Sequence, residues 1–564
     1  MTTEPVGAGS WDIAVVNSLV KVHPDYAPRA SDRDLYLSTT LGEPVSFQVA
    51  VRPPATGHFQ PQETLHVSVE PGDGARATIQ TVELVPNDLP SFRQHDDGYE
   101  RDEPGLYPDL LRLAPDGLFR PLLAGWSAVW IDIQVDDPQH AGDRHIQVEL
   151  TRGDTVLLSA TLELFVAPVT LAPLSIVNTA WLWLQSIAEY HGVEVFSEPH
   201  WHLIDRAVAA ASHAQINSLL TSVWTPPLET EVGARLLTTQ LVDIHRVGGR
   251  YRFDFAKLKR WVEICRRHGI VHLEIAHLFT QWGAHATPSI WVSVDGALTE
   301  EFGWHVPAVD PGYRRFLEAF IPALTTFLEQ NWSLSNVLFH LSDEPEGESG
   351  LAGYRAAREV VGELLEGFTV VDALSDVELF DEGLIECPVV ATDAVMPFLE
   401  RAVPNLWIYY CVGQARDVAN RFMALPSSRN RVLGHQLFAF GCGGFLHWGF
   451  NFYSTRLSRA RLDPYANTTA GGAYPGGDAF LVYPGMDGEP EASIRSRVFA
   501  QAMYDHRALT MLAALGDTGA RELIDTDGDG GALRFDKFSY DDGHYLRARA
   551  EVNARLSALE GVAR

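Results

Sequence analysis

The residues best equipped for chemistry stand together in Asn336-Val337-Leu338-Phe339-His340-Leu341-Ser342-Asp343-Glu344-Pro345. A short apolar run ends in two adjacent carboxylates, and a proline stops it. The pattern predicts a buried strand that delivers Asp343 and Glu344 to its C-terminal end, where α/β barrels carry their active sites. Two carboxyl groups in one site are the usual equipment for cleaving a glycosidic bond. Acidic pairs at loop starts are common and mostly solvated. The apolar strand in front of this pair is what favours a chemical role.

Such a pair needs elements to position it. Beyond residue 170, strand-length apolar runs alternate with amphipathic helices. Candidate strands fall at 176–183, 215–221, 270–277, 336–342, 368–373, 388–393, 406–411 and 444–449. Eight strand–helix units predict a (β/α)8 TIM-like barrel with loop insertions over 171–515. A doubly wound open sheet is the alternative, but no Gly-rich phosphate loop accompanies it. Within 255–268, Leu258, Trp261, Val262 and Cys265 share one helical face, and Asp254 is placed to cap that helix. The insertion after the second strand is expected to hold a hairpin turning at Gly248-Gly249.

Residues 1–170 read as an N-terminal β-sandwich. Segments 46–52, 130–135 and 145–150 alternate polar and apolar residues, and the last runs through Gly153-Asp154 into 155–164 as a hairpin. Residues 167–173 read as a linker and 516–564 as a short C-terminal helical tail. The predicted fold class is thus multidomain α and β: sandwich, barrel, tail.

In a barrel, the C-terminal strand ends should collect polar and aromatic side chains, and they do. Trp181 ends the first strand and Trp224 follows the second. His277, Gln281 and Trp282 follow the third, and His340 precedes Asp343 and Glu344 on the fourth. Asp372 and Asp393 end the fifth and sixth, Tyr409 and Tyr410 the seventh, and His447, Trp448 and Asn451 the eighth. Any one of these is more readily structural than functional. Together they make a candidate sugar site, with tryptophans as stacking walls and tyrosines as hydroxyl partners.

Composition narrows the partners. A net charge of −30 disfavours nucleic acid and anionic membranes. No apolar run approaches the ~18–20 residues of a membrane-spanning helix. Met1-Thr2-Thr3-Glu4-Pro5 lacks the basic and apolar regions of a signal peptide. Cys265, Cys387, Cys411 and Cys442 form no paired motif and read as buried free thiols. A cytoplasmic protein acting on an oligosaccharide or glycoside, with no cofactor and no metal, is the expectation. Self-association is left open.

Further motifs sharpen this. FHLSDEP at 339–345, HLFTQWG at 277–283, NRFM at 420–423, GFLHWGFNF at 444–452, and GDAFLVYPG at 477–485 with SIR at 493–495 stand in one chain. In these the sequence resembles bacterial proteins carrying the domain of unknown function 4091, which contains the catalytic domain of glycoside hydrolase family 123. The resemblance covers the barrel and, more loosely, the sandwich. It implies a retaining, substrate-assisted β-N-acetylgalactosaminidase that uses an adjacent Asp-Glu pair, as the family 20 hexosaminidases do. Carried over, Glu344 is the general acid/base and Asp343 the partner of the 2-acetamido group, whose oxygen attacks the anomeric carbon. Strand side chains alternate in direction, so the backbone must kink at this pair. Burial beside anionic Asp343 is expected to raise the pKa of Glu344. Exo action is expected, because long insertions can wall off a barrel mouth.

Three other readings stand beside it. A sugar without a 2-acetamido group would need a second carboxylate, from Asp372, Asp393 or Glu274. A metal-dependent hydrolase could gather His277, His340, His447 and Asp393, although no HxH or HExxH spacing arranges them in advance. A carbohydrate-binding protein without activity would have no use for the Asp-Glu pair. Elsewhere, 525–536 has partial calcium-loop spacing but reads better as an exposed acidic turn. Arg429, Asn430, Arg431 and Asp478 look placed to brace strand-end loops.

Overall fold

The computed structural model describes residues 11–54, 63–345 and 347–563. The leading Met1-to-Pro5 segment lies outside them. The chain divides into two compact units. One comprises Met1–Ser175, Ala419–Phe440 and Glu491–Arg564; the other comprises Ile176–Val418 and Gly441–Pro490.

The first unit is built on two sheets. One has six strands in the order Asp12–Asn17, Val45–Arg52, Ser127–Val135, Ala75–Asn87, Gly105–Leu113 and Ala492–Ser493. The other has five, in the order Ser38–Leu41, Thr155–Thr170, Gly142–Arg152, Leu65–Glu70 and Leu118–Phe119. Period-2 alternation decides the faces: Phe47, Val49, Val51, Ile131 and Ile133 of one sheet meet Ile146, Val148, Leu150, Leu162 and Leu164 of the other in a single core. The hairpin through Gly153 forms as expected. The expected linker begins late, because Ala167–Thr170 continue a strand that pairs with Ser38–Leu41.

Pieces from outside 1–170 join this unit, so its boundaries are not consecutive in sequence. Helices Ser427–Ala439 and Ile494–Ala514 are buried on nearly every side, which is why neither shows a clear polar face in the sequence. A Cβ at Gly434 would lie 1.9 Å from the Ala502 carbonyl oxygen, so only glycine permits that approach. Arg431 pairs with Asp505 and Arg429 with Asp96, so these arginines brace this unit rather than strand-end loops. The helix Asp542–Ala563 completes the unit.

The second unit is a closed barrel of eight parallel strands. They are Val177–Ala180, Ser218–Thr221, His272–Ile275, Val337–Phe339, Thr369–Ala373, Cys387–Ala391, Trp407–Tyr409 and Gly444–His447. Each falls within its expected segment or one residue outside it, and each is shorter. Helix Ala256–Arg267 buries Leu258, Trp261, Val262 and Cys265, and Asp254 Oδ1 accepts from Ala256 N–H at 2.9 Å. The hairpin at Gly248-Gly249 forms between Asp243–Val247 and Arg250–Asp254. A second hairpin, Ile290–Val294 with Ala297–Phe302, joins it in a four-stranded insertion sheet that the sequence did not announce. Among the described residues, no helix is long and apolar enough to cross a membrane.

Candidate active site

The third and fourth barrel strands stay paired beyond their formal ends. Leu278 N–H donates to His340 O at 3.0 Å, Phe279 N–H to Leu341 O at 2.9 Å, and Trp282 N–H to Asp343 O at 2.7 Å. Ser342 Oγ donates to Thr280 O at 2.8 Å. The backbone then turns left-handed, with φ +41° at Glu344 and +60° at Trp282. This is the kink that lets consecutive carboxyls face one space, at a conformational cost borne by non-glycine residues.

That space is a cavity of about 390 Å³. Of the predicted residues it brings together Asp343, Glu344, Trp181, Gln281, Trp282, Tyr409 and Trp448. Asp343 and Glu344 are half-buried, and Tyr409 Oη donates to Glu344 Oε1 at 2.7 Å. Trp282 is 39% exposed, while Trp181 is buried with its indole N–H donating to Glu274 Oε1 at 2.6 Å. Trp448 donates to Asp478 Oδ2 at 3.0 Å, so Asp478 does brace a strand-end residue. Gln281 Nε2 donates to Thr230 O at 3.0 Å.

The other predicted residues do not line the cavity. His340 is buried, with Nε2 2.8 Å from Glu274 Oε1 and Nδ1 3.1 Å from Asp372 Oδ1. Asp372 also accepts from Leu341 N–H at 3.0 Å and from Tyr354 Oη at 2.7 Å. His277 stacks on His340 at 4.2 Å. Trp224 donates to His277 O at 3.0 Å and packs on Phe320. Tyr410 packs against Phe445 and His447, and His447 Nδ1 accepts from Gly449 N–H at 2.9 Å. Asn451 bonds the backbone of Trp183 in both directions, and Asp393 accepts from Gln414 at 3.1 Å. These polar side chains fix the walls and floor of the barrel.

Electrostatics divide the cluster. Burial disfavours a charge on His340, but Glu274 and then Asp372 outweigh it and hold the imidazolium up to about 10. Burial and then His340 push His277 well below its ordinary value. Burial raises Asp372 despite its donors. Asp343 is raised well above the carboxylate range, first by burial and then by Glu344 beside it, with His340 opposing.

His277, His340 and Asp372 have ligand atoms within 4.8 Å of one another. They do not fit a metal as they stand, because both His340 nitrogens are already committed to carboxylates. His447 and Asp393, expected in the metal reading, are engaged elsewhere. In the loop at 525–536, Asp527 serves Asp529 N–H, Gly531 N–H and Lys537, which makes it an acidic turn closed by its own backbone and a lysine.

Sequence reasoning missed Glu229, Arg456 and Tyr474, and it placed Cys411 in the core although it lines the cavity half-exposed. Glu229 comes five residues after Trp224 and Arg456 nine after His447, in long loops with no periodicity. Only tracing each strand-end loop further outward would have found them.

Residues 181–512 match the family model described as the catalytic domain of glycoside hydrolase 123. The chain belongs to glycoside hydrolase family 123. Its structure is similar to that of a family 123 glycoside hydrolase from Clostridium perfringens, reported for glycolipid glycan hydrolysis. The TM-score is 0.69 at 11% identity, over 98% of this chain and 100% of that one, which shows a shared fold. A family 39 glycoside hydrolase from Bacteroides cellulosilyticus (TM-score 0.32, 10% identity, 82% and 81% covered) and a family 5 xyloglucanase from Bacteroides ovatus (0.31, 9%, 83% and 98%) are too distant to bear on it. No curated protein matches in sequence. As a family 123 member the protein is a glycosidase, and its substrate is a glycan.

Proposed function

We propose that the protein is a retaining, exo-acting β-N-acetylgalactosaminidase-like enzyme with a substrate-assisted mechanism. The observation that carries this is the left-handed turn that aims Asp343 and Glu344 into one cavity. The carboxylates weighed for the alternative mechanism, Asp372, Asp393 and Glu274, do not line that cavity.

Burial and adjacency raise Asp343, so the pair keeps a proton where an ordinary carboxylate has lost it. When the acetamido N–H of the sugar approaches, Asp343 becomes its acceptor and the shared proton goes to Glu344. Glu344 donates that proton to the leaving oxygen as the acetamido oxygen attacks the anomeric carbon. The oxazolinium ion that forms is stabilised at its N–H by Asp343. Water then opens the ring, with Glu344 as base. Tyr409 orients Glu344 throughout. A cavity of about 390 Å³ lies near the small end of ligand pockets, which suits a terminal sugar. The glycolipid glycan of the Clostridium perfringens relative is one source of such an end.

A second reading keeps the glycosidase but not the acetamido group, with Glu229 as the second carboxylate because it lines the cavity. Aryl glycosides separate the two. The panel is β-GalNAc, β-GlcNAc, β-galactoside, β-glucoside and both arabinofuranosides, with wild type and Glu344→Ala. Cleavage only of 2-acetamido sugars, lost in the variant, supports the proposal. Cleavage of a sugar without that group overturns the mechanism.

A further inference from the structure

The cavity wall formed by Glu229, Arg456 and Tyr474 has no part in the substrate-assisted chemistry proposed above. Glu229 is clamped from two sides: Tyr474 Oη donates to Oε1 at 2.9 Å and Leu457 N–H donates to Oε2 at 3.0 Å. Ser458 Oγ donates to the Glu229 carbonyl at 2.7 Å, and Arg459 pairs with Glu231 at 2.8 Å. The two loops are thus tied side by side. Both are strained at the contact, with φ +44° at Glu229, +59° at Leu457 and +53° at Ser458. Left-handed backbone at three non-glycine residues is costly, and it persists only where surrounding bonds over-determine it.

The strain places Arg456 next to the residue that clamps Glu229. The Arg456 guanidinium is exposed and lines the cavity. Burial holds Glu229 above the ordinary carboxylate range, and the Arg456 charge opposes this with no hydrogen bond between the two side chains. Among the described residues, Arg456 forms no ion pair. A carboxylate and a guanidinium on one cavity wall can close into a bidentate pair. Here the carboxylate takes its donors from Tyr474 and Leu457, and Glu229 and Arg456 line the same cavity.

We propose that Glu229 and Arg456 together recognise an unsubstituted hydroxyl of the sugar in the cavity, Glu229 accepting its O–H and Arg456 donating to its oxygen. With the acetamido group taken up by Asp343 and by attack on the anomeric carbon, a hydroxyl is the remaining sugar group that needs an acceptor and a donor at once. A carboxylate or sulfate on the sugar would be repelled by Glu229, and an ammonium by Arg456. The pair therefore selects a neutral terminal sugar with a free hydroxyl at that position. This rests on the proposed terminal 2-acetamido sugar for its geometry, but not on the acetamido chemistry itself.

The test crosses enzyme variants with substrate deletions. Wild type, Glu229→Gln and Arg456→Met are assayed on 4-nitrophenyl β-GalNAc and on its analogues lacking the hydroxyl at C3, C4 or C6. If only a glycoside without the acetamido group turns over, its deoxy series is used. The substrate-assisted reading then fails while the hydroxyl test still runs. If nothing turns over, calorimetric binding of GalNAc and its deoxy forms gives the same comparison. One deletion should cost wild type about 10- to 100-fold in kcat/KM or affinity, and that sensitivity should vanish in both variants. A merely structural wall would lower all substrates alike. Variants as sensitive as wild type at every position overturn the proposal. So does trapping of a covalent glycosyl-enzyme on Glu229 by a 2-fluoro sugar, which would make it a nucleophile.

Discussion

Two buried ionic clusters, one in each unit, use the same kinds of acid to opposite effect. In the sheet unit, Asp505 meets Arg431 at 2.8 Å and Arg549 at 3.2 Å, and Arg549 also pairs with Glu43. Two carboxylates face two guanidiniums. Burial works against the Asp505 charge, but Arg431 and Arg549 outweigh it and its pKa falls. In the barrel, Glu274 and Asp372 share the one imidazolium of His340, while Asp343 and Glu344 stand at the cavity above. The acids outnumber the cation; burial pushes Asp372 up, and burial followed by the Glu344 charge pushes Asp343 up. Matched charges hold architecture together. A surplus of acid keeps a proton available, which a general acid requires.

The contrast breaks most sharply at Glu344. Glu344→Gln should lower kcat about 10²- to 10⁴-fold in steady-state assays, while Arg549→Met leaves kcat unchanged below its unfolding temperature. If Arg549→Met costs comparable activity, the division between the clusters is wrong. Next in size, removing either cation strands buried carboxylates. Arg549→Met and His340→Leu should each cost about 3–5 kcal/mol in denaturant unfolding, and only His340→Leu should also change the pH profile of kcat/KM.

The pH dependence has a definite sign. His340 is raised from 6.5 to about 10, so the stability its charge supplies is complete below pH 6.5 and is lost as pH climbs toward 10. The Tm of wild type should fall over that range, and a His340→Gln variant should show a shallower fall. Smallest is Asp542 in the sheet unit, raised from 3.8 to about 7 by burial and then by Glu100 and Asp32. Its penalty is absent below pH 3.8 and complete above 7, so Asp542→Asn should raise Tm at pH 8 and leave it unchanged near pH 3.8.

The barrel was legible because each strand is an apolar run closed by a polar end, as in Val337-Leu338-Phe339-His340. The alternation of Phe47, Val49 and Val51 marked the sandwich equally well. Which strand-end residues face the cavity was less legible. Tyr409 lines it and Tyr410 turns into the core, and a one-residue difference in where a strand ends reverses that choice. Asp372 and Asn451 are polar for the sake of buried partners, a purpose that composition does not distinguish from contact with a sugar. Glu229 and Arg456 were out of reach because loops held by side-chain clamps carry no period.

The left-handed turn at Glu344 has one more consequence. At φ +41° a glycine would sit without strain, and left-handed backbone costs an ordinary residue about 1–2 kcal/mol. A search for tougher variants of this protein, scored on survival of heating alone, would therefore be drawn to Glu344→Gly. With Glu344 as the proposed acid/base, the winner of that search would be a hardier molecule unable to cut a glycan, because durability and that role ask for different amino acids at this position.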